Sequence, residues 1–440
     1  MYLMSDRTEK ELCHDASPLV AETDQVSLRN LFWTFMKIGC VSFGGFMVLI
    51  SVIADTIVNK RKLLTHDDML DGISLANLLP GPQGVNCVAY IGYRLRGGLG
   101  ALVSAIGVLV PTFGLIVALT SLYLTYASHV PILDSLFSGF VPAVAAIIAS
   151  VVYRMGSNVI KGWREGSLAI LAVVTMLITP QAIQLYVTVG IVCAYGAAGY
   201  WMFRQADTVA PQGTTSLPWR RILLPLAVLS VLVVTFLAHP PLDPKGLPQI
   251  ALTFGGMSLM LFGGGYVFIP ILKDVVVTHY EWISTQQFLD GIAFSQVTPG
   301  PILVIATFIA QKVTTEQSGL LFGIVGAMVG TLAIFAPPAI LLVTASRIVH
   351  NIKQSAGLQA AMHGIRCGIL GMISVAAVAI LHTTLPTWPE TRSIDAFVHY
   401  LHMLWPTLVI FAAALVALIK YRVDVVWIIP IAGLFGLLMY

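Results

Sequence analysis

"NLLPGPQGVNCVAY", residues 77–90, sets Pro80-Gly81-Pro82 into the middle of an apolar stretch. Proline removes a backbone donor and clashes with the preceding turn, and glycine admits conformations that other residues avoid. A helix entering this stretch therefore stops, and a new one starts. The same break recurs in "SQVTPGPILVIATF", residues 295–308, as Pro299-Gly300-Pro301. The arm after the first break, Gln83 to Tyr93, has 11 residues. That is about 16 Å of helix, roughly half of a bilayer core. Two arms of this length meeting at Pro-Gly-Pro predict a re-entrant hairpin, not two membrane spans.

The rest of the composition fits a membrane setting. Of 440 residues, 57% are hydrophobic and 10% charged, whereas a soluble domain carries about 25% charged residues. The chain reads as an all-α polytopic membrane protein embedded in the lipid bilayer. A net charge of +3 with no basic tail excludes nucleic acid as a partner. The five cysteines are scattered and form no disulfide framework. Residues 1–27 are polar, lack the apolar core of a signal peptide, and read as a cytosolic tail. The absence of Walker A, HExxH and GxSxG motifs argues against an ATP-driven pump and against an enzyme. Nothing calls for a cofactor, and His399 and His402 have no further ligands near them in sequence to make a metal site.

The break belongs to a duplication. Residues 43–82 align without a gap to 262–301, and Phe43, Gly44, Gly45, Asp55, Asp71, Gly72, Pro80, Gly81 and Pro82 are among the identities. Most are Gly, Pro or Asp, so backbone shape is what repeats. The domains are then a first transporter repeat over 28–203, a polar linker over 204–221, and a second repeat over 222–440 with one extra leading helix. Loops around the first break are basic ("NKRK", 59–62; "RLR", 94–96), and those around the second are roughly neutral ("THYE", 278–281; "KVTTEQ", 312–317). Basic loops stay in the cytosol. Matching loops therefore fall on opposite faces, which predicts an inverted repeat of the kind found in secondary transporters.

Apolar runs predict spans near 98–126, 131–153, 166–181, 182–203, 222–238, 318–346, 365–384, 403–420 and 423–440. The basic clusters between them share one face only if 28–58 and 248–277 fail to cross. Each carries Phe-Gly-Gly near its centre, so each is expected to be a second hairpin or a helix broken at the glycines; a tilted span is the alternative.

"KIGCVSFGGFMVLI" (37–50), "LLPGPQGVNCVAYIGYRLRGGLGALVSAIGVLVPTF" (78–113), "LMLFGGGYVFIPIL" (259–272) and "FSQVTPGPILVIATFIA" (294–310) resemble the chromate ion transporter family in its two-domain form. The resemblance implies a bacterial inner-membrane carrier of oxyanions, associated with chromate efflux and sometimes sulfate. Phe46 departs from the Gly-Gly-Gly or Gly-Gly-Pro common there and would narrow that side of a site.

The residues themselves point to anion chemistry. Non-helical backbone at membrane depth survives only against protein or a wet cavity. A helix starting at mid-membrane offers free N–H groups and a positive dipole end. The candidate substrate contacts are Ser42, Gly44, Gly45, Asn77, Pro80, Gly81, Gln83, Gly84 and Asn86 in the first repeat, and Gly263, Gly264, Gly265, Gln296, Thr298, Pro299 and Gly300 in the second. Gln83 and Asn86 add amide donors that Ile302 and Ile305 do not, so the site is not symmetric. Small residues packing helices are the alternative reading of the glycines. Asp71 and Asp290 are repeat mates suited either to carrying a coupling proton or to capping a helix. Asp55 and Asp274, nearer the loops, read as interfacial caps. Lys37 either attracts the anion or snorkels to the surface. Assembly is open between monomer and homodimer.

Overall fold

Both Pro-Gly-Pro segments end one helix and begin another in the computed structural model. It describes residues 26–43, 46–126, 131–180, 183–203, 230–236, 245–262, 265–346, 356–385 and 394–439, with single positions between 227 and 243. Gly44, Gly45, Gly263, Gly264, the 204–221 linker and residues 1–25 of the tail lie outside the described residues. Helix and no strand is found among those described.

The first repeat comprises α1 (Leu28–Val41), α2 (Phe46–Ile53), α3 (His66–Leu78), α4 (Gln83–Tyr126), α5 (Pro131–Val159), α6 (Trp163–Ile178) and α7 (Gln184–Phe203). The second comprises α8 (Leu247–Ser258), α9 (Phe268–Lys273), α10 (Thr285–Val297), α11 (Ile305–Ser318), α12 (Leu320–Ala345), α13 (Ala356–Thr384), α14 (Ile394–Ile419) and α15 (Val425–Met439). α4 is broken at Arg96–Gly97, where Gly97 takes φ 63°. Gly319, at φ 83°, makes the equivalent break between α11 and α12.

Local structure repeats in detail. Thr65 with Asp68 and Ser284 with Gln287 form capping boxes at the starts of α3 and α10. Ala54–Lys60 and Asp274–His279 are both π-helical. Asp55 and Asp274 fall in the first turns of these segments, whose N-cap residues Ile53 and Lys273 make no side-chain cap. Asp55 pairs with Lys60 at 2.6 Å.

Contacts at matched distances from each tip make α3 and the arm of α4 an antiparallel hairpin. Asp68 and Arg94, equidistant from Gly81, form a 2.5 Å ion pair. Gly72 packs on the Tyr90 ring, and Gly291 packs on Phe308 in the same way between α10 and α11. The second arm opens with a 3-10 turn, Ile302–Val304. Its greater rise per residue shifts the register by one, so Phe308 and not Ile309 takes the place of Tyr90.

The Phe-Gly-Gly segments fold back as well. Arg61 Nη1 donates to Thr34 Oγ1 at 2.7 Å. A continuous helix would hold these residues about 40 Å apart. The repeat-equivalent Tyr280 hydroxyl is bonded to Thr253 and accepts from Gln249 Nε2 at 2.6 Å.

Five helices among the described residues are long and apolar enough to cross a membrane: Gln83–Tyr126, Ser135–Val159, Tyr186–Phe203, Leu320–Ala345 and Ala356–His382. Leu99, Leu102, Ile106 and Val110 form an exposed apolar stripe on α4, as do Leu321, Val325, Met328 and Leu332 on α12. Stripes of this kind face lipid. α13 starts nine residues before the span expected from 365, because His363 and Arg366 interrupt the apolar run without interrupting the helix.

The repeats interlock reciprocally. α5 packs on α14 and α15, while α13 packs on α6 and α7. Gly139 of α5 crosses Gly436 of α15, and Gly364 of α13 crosses Gly199 of α7, each at a separation that leaves no room for a Cβ. The cores of the two repeats are thus built from each other's helices.

Candidate functional site

Each Pro-Gly-Pro tip is held by the other repeat. Gly81, at φ 113°, donates its N–H to Leu261 O at 2.6 Å, and Gly300, at φ 120°, donates to Ser42 O at 3.1 Å. Leu261 and Ser42 are themselves repeat mates, so the exchange is reciprocal. Each tip also lies against the other repeat's long helix: a Cβ on Gly81 would collide with Pro338 of α12, and one on Gly300 would meet Thr112 of α4 at 2.7 Å. These positive-φ glycines tolerate no side chain, for reasons of backbone and of space.

The hairpins run along opposite halves of α4. Gly92 of the first arm lies against Gly100 and Ser104, upstream of Thr112. In the second hairpin, Gln311 Nε2 donates to Val117 O at 3.2 Å and Ser121 Oγ at 2.9 Å, downstream of Thr112. Tyr123, further along, donates to Asp290 Oδ2 at 2.9 Å.

The expected site residues gather here, but several donors are already committed. Asn86 is buried; its Nδ2 donates to Pro80 O at 3.1 Å, and its Oδ1 has no partner. Ser42 donates to Ile38 O at 2.6 Å, and Thr298 to Ser295 O at 3.2 Å. Asn86 N–H bonds back to Pro82 O at 2.9 Å, so the preceding amides of Gln83, Gly84 and Val85 have no intrahelical acceptor. Gln83 is half-buried beside them. In the second tip Thr112 Oγ1 donates to Pro299 O across the repeats. Gln296 is fixed by the Tyr266 hydroxyl, which donates to its Oε1 at 3.2 Å, and this leaves its buried Nε2 with no partner. An orphan amide donor just before a helix start fits an anion better than a cation. Gly265 precedes Tyr266 and packs against Ile302. Asn77 adjoins the first tip, and Arg366 Nη2 lies 3.5 Å from its carbonyl oxygen.

The paired carboxylates differ. Asp290 is 2% exposed and is held by Tyr123 and by Gln286 Nε2 at 3.2 Å. These partners are side chains, so Asp290 caps no helix through them. Asp71 is half-buried, near Tyr90. Lys37 is exposed. Sequence reasoning missed Thr112, Tyr266 and Arg366, and it set Asp274 near the loops, whereas its Oδ2 is buried without a partner. Among Thr112, Tyr266 and Arg366 the only signal was a charge inside an apolar run, at Arg366.

Residues 29–200 and 248–437 match the family described as chromate transporter. A chromate transport protein of Cupriavidus metallidurans is 25% identical over 402 residues, covering 90% of this chain and 94% of that protein. An uncharacterized transporter of Methanocaldococcus jannaschii is 26% identical over 379 residues, 85% of this chain and 89% of that protein. A shorter uncharacterized transporter of Bacillus subtilis is 30% identical over 175 residues, 38% of this chain and 86% of its own length. No solved structure matches the chain.

Proposed function

Because the chain belongs to the chromate transporter family, and so is a multi-pass membrane ion transporter, we propose that it carries tetrahedral oxyanions by alternating access, with the anion held between the Pro-Gly-Pro tips. Chromate efflux is the leading activity, and sulfate is the related substrate. The observation that carries this reading is the reciprocal hold of each tip by the other repeat, Gly81 to Leu261 and Gly300 to Ser42, together with the unpartnered amide of Gln296 three residues before the second tip. A dianion with four acceptor oxygens suits converging amides: the helix-start N–H groups of Gln83, Gly84 and Val85 on one side, and Gln296 on the other. No full positive charge touches the anion at the tips, so release does not require breaking an ion pair.

The opposite directions of the two hairpins along α4 support an inverted arrangement, with one hairpin facing each side of the inner membrane. The convergence of Lys161, Phe203 and Ala356 on one cavity supports placing the basic loop ends, and with them the N-terminus, on a single cytosolic face. Asp290, buried and gripped by Tyr123, is the better placed of the two carboxylates to move a coupling proton. Uptake of radiolabelled chromate and sulfate into proteoliposomes, with and without an imposed pH gradient, tests the reading. Accumulation that responds to the gradient is expected. Absence of uptake of either anion overturns it.

A further inference from the structure

A cavity of about 830 Å³ opens beneath the first hairpin, bounded by Ser74 and Leu78 of α3, Lys161 of the α5–α6 loop, and Gln359, His363 and Arg366 of α13. Resting on the reading that the tips bind an oxyanion, we propose that this cavity is a loading vestibule, a second and weaker anion site that captures the tetrahedral dianion on one face and passes it to the first tip.

Three observations carry this. The cavity is cationic: Lys161 and Arg366 both line it, no carboxylate is among its described lining residues, and its lining His363 lies 3.5 Å from the Glu165 carboxylate behind it. It leads to the tip: the Arg366 guanidinium at its inner end lies 3.5 Å from Asn77 O, three residues before Pro80. It is also one-sided. The reciprocal glycine crossings pair Gly139 with Gly364, which makes Val141 the counterpart of Arg366. Among the described residues, the first repeat therefore places no cation at the position that corresponds to Arg366. A positive wall on one side raises local anion concentration there and speeds capture. Asn77 O accepts from Arg366 and cannot donate to an anion, so the guanidinium's remaining N–H groups are the donors on this path.

The test uses the full-length protein in proteoliposomes, with Cys13, Cys40 and Cys193 replaced by Ser and exposed Gln359→Cys as reporter. Anionic and cationic methanethiosulfonates are compared by their modification rates, with sulfate as the competing dianion because chromate would oxidise the thiol. The anionic reagent is expected to gain about tenfold over the cationic one relative to a free thiol at low salt. Sulfate should slow it, and Lys161→Gln and Arg366→Gln should each shrink the gain several-fold. Lys161 is solvent-exposed, so its variant reports even where Arg366→Gln fails to fold. A ratio equal to that of a free thiol, or no protection by sulfate, overturns the vestibule. Failure of the tip site reads differently: Gly81→Ala would then transport normally, whatever the reporter shows.

Discussion

The two tips share a backbone and differ in how they are held. Gly81 and Gly300 adopt nearly the same φ, at 113° and 120°. Yet the carbonyl of Pro80 is satisfied from within its own arm by Asn86, and that of Pro299 by Thr112 of the other repeat. The first arm is α-helical from Gln83, whereas the second starts with a 3-10 turn. The first carboxylate, Asp71, is half-buried; its mate Asp290 is enclosed. Duplication has kept the bend and let the chemistry around it diverge.

The sharpest way to break the comparison is topological. Cysteines at Arg61 and His279, repeat-equivalent loop ends to within one residue, are expected to react with an impermeant thiol reagent from opposite sides. Labelling from the same side would end the inverted reading outright. Next in size is Gly81→Ala, where the added methyl meets Pro338 at a positive φ. Transport should be abolished, while Gly98→Ala, whose methyl meets nothing within 4 Å, should leave it intact; equal activity of the two would show that the tip is not under constraint. Asp290→Asn is then expected to shift the pH profile of transport more than the half-saturation concentration, and to do so more strongly than Asp71→Asn. Normal expression of both with unchanged profiles would exclude proton coupling through the pair.

Smaller effects sharpen the chemical asymmetry. Thr112→Val and Asn86→Leu each leave a buried carbonyl without a partner, which costs about 1–3 kcal/mol. Melting in detergent should show both losses. Gln83→Leu, by contrast, should raise half-saturation by about tenfold or more through a lost charge-assisted bond, with little effect on melting. If Gln83→Leu lowers melting and spares half-saturation, its role is structural. Lys37→Gln is expected to change transport by less than about twofold, as for an exposed snorkelling side chain.

The sequence made the hairpins legible because they depend on Pro, Gly and local spacing. The fold-back at Phe-Gly-Gly was reachable from loop charge alone, even though Gly44, Gly45, Gly263 and Gly264 themselves lie outside the described residues. The partners of the tips were not legible. Thr112 reaches Pro299 across 187 positions, and nothing in its neighbourhood marks it out from other membrane threonines. Arg366 could be noticed as a charge, but its position over Asn77 depends on how α13 packs against the first repeat. Asp274 was read as an interfacial residue because its depth is set by the start of α7, to which Gln184 contributes a hydrogen bond.

The glycine crossings of α5 with α15 and of α13 with α7 also bear on how the chain is made. During synthesis α5 enters the membrane long before α14 and α15 exist, so its contact face must wait, covered by lipid or by the insertion machinery, until the last helices arrive. Premature termination after the first repeat would leave that face permanently uncovered and open to proteolytic clearance. Co-expression of the two halves as separate chains should restore it, since the closing contacts are between surfaces and not through the connecting segment.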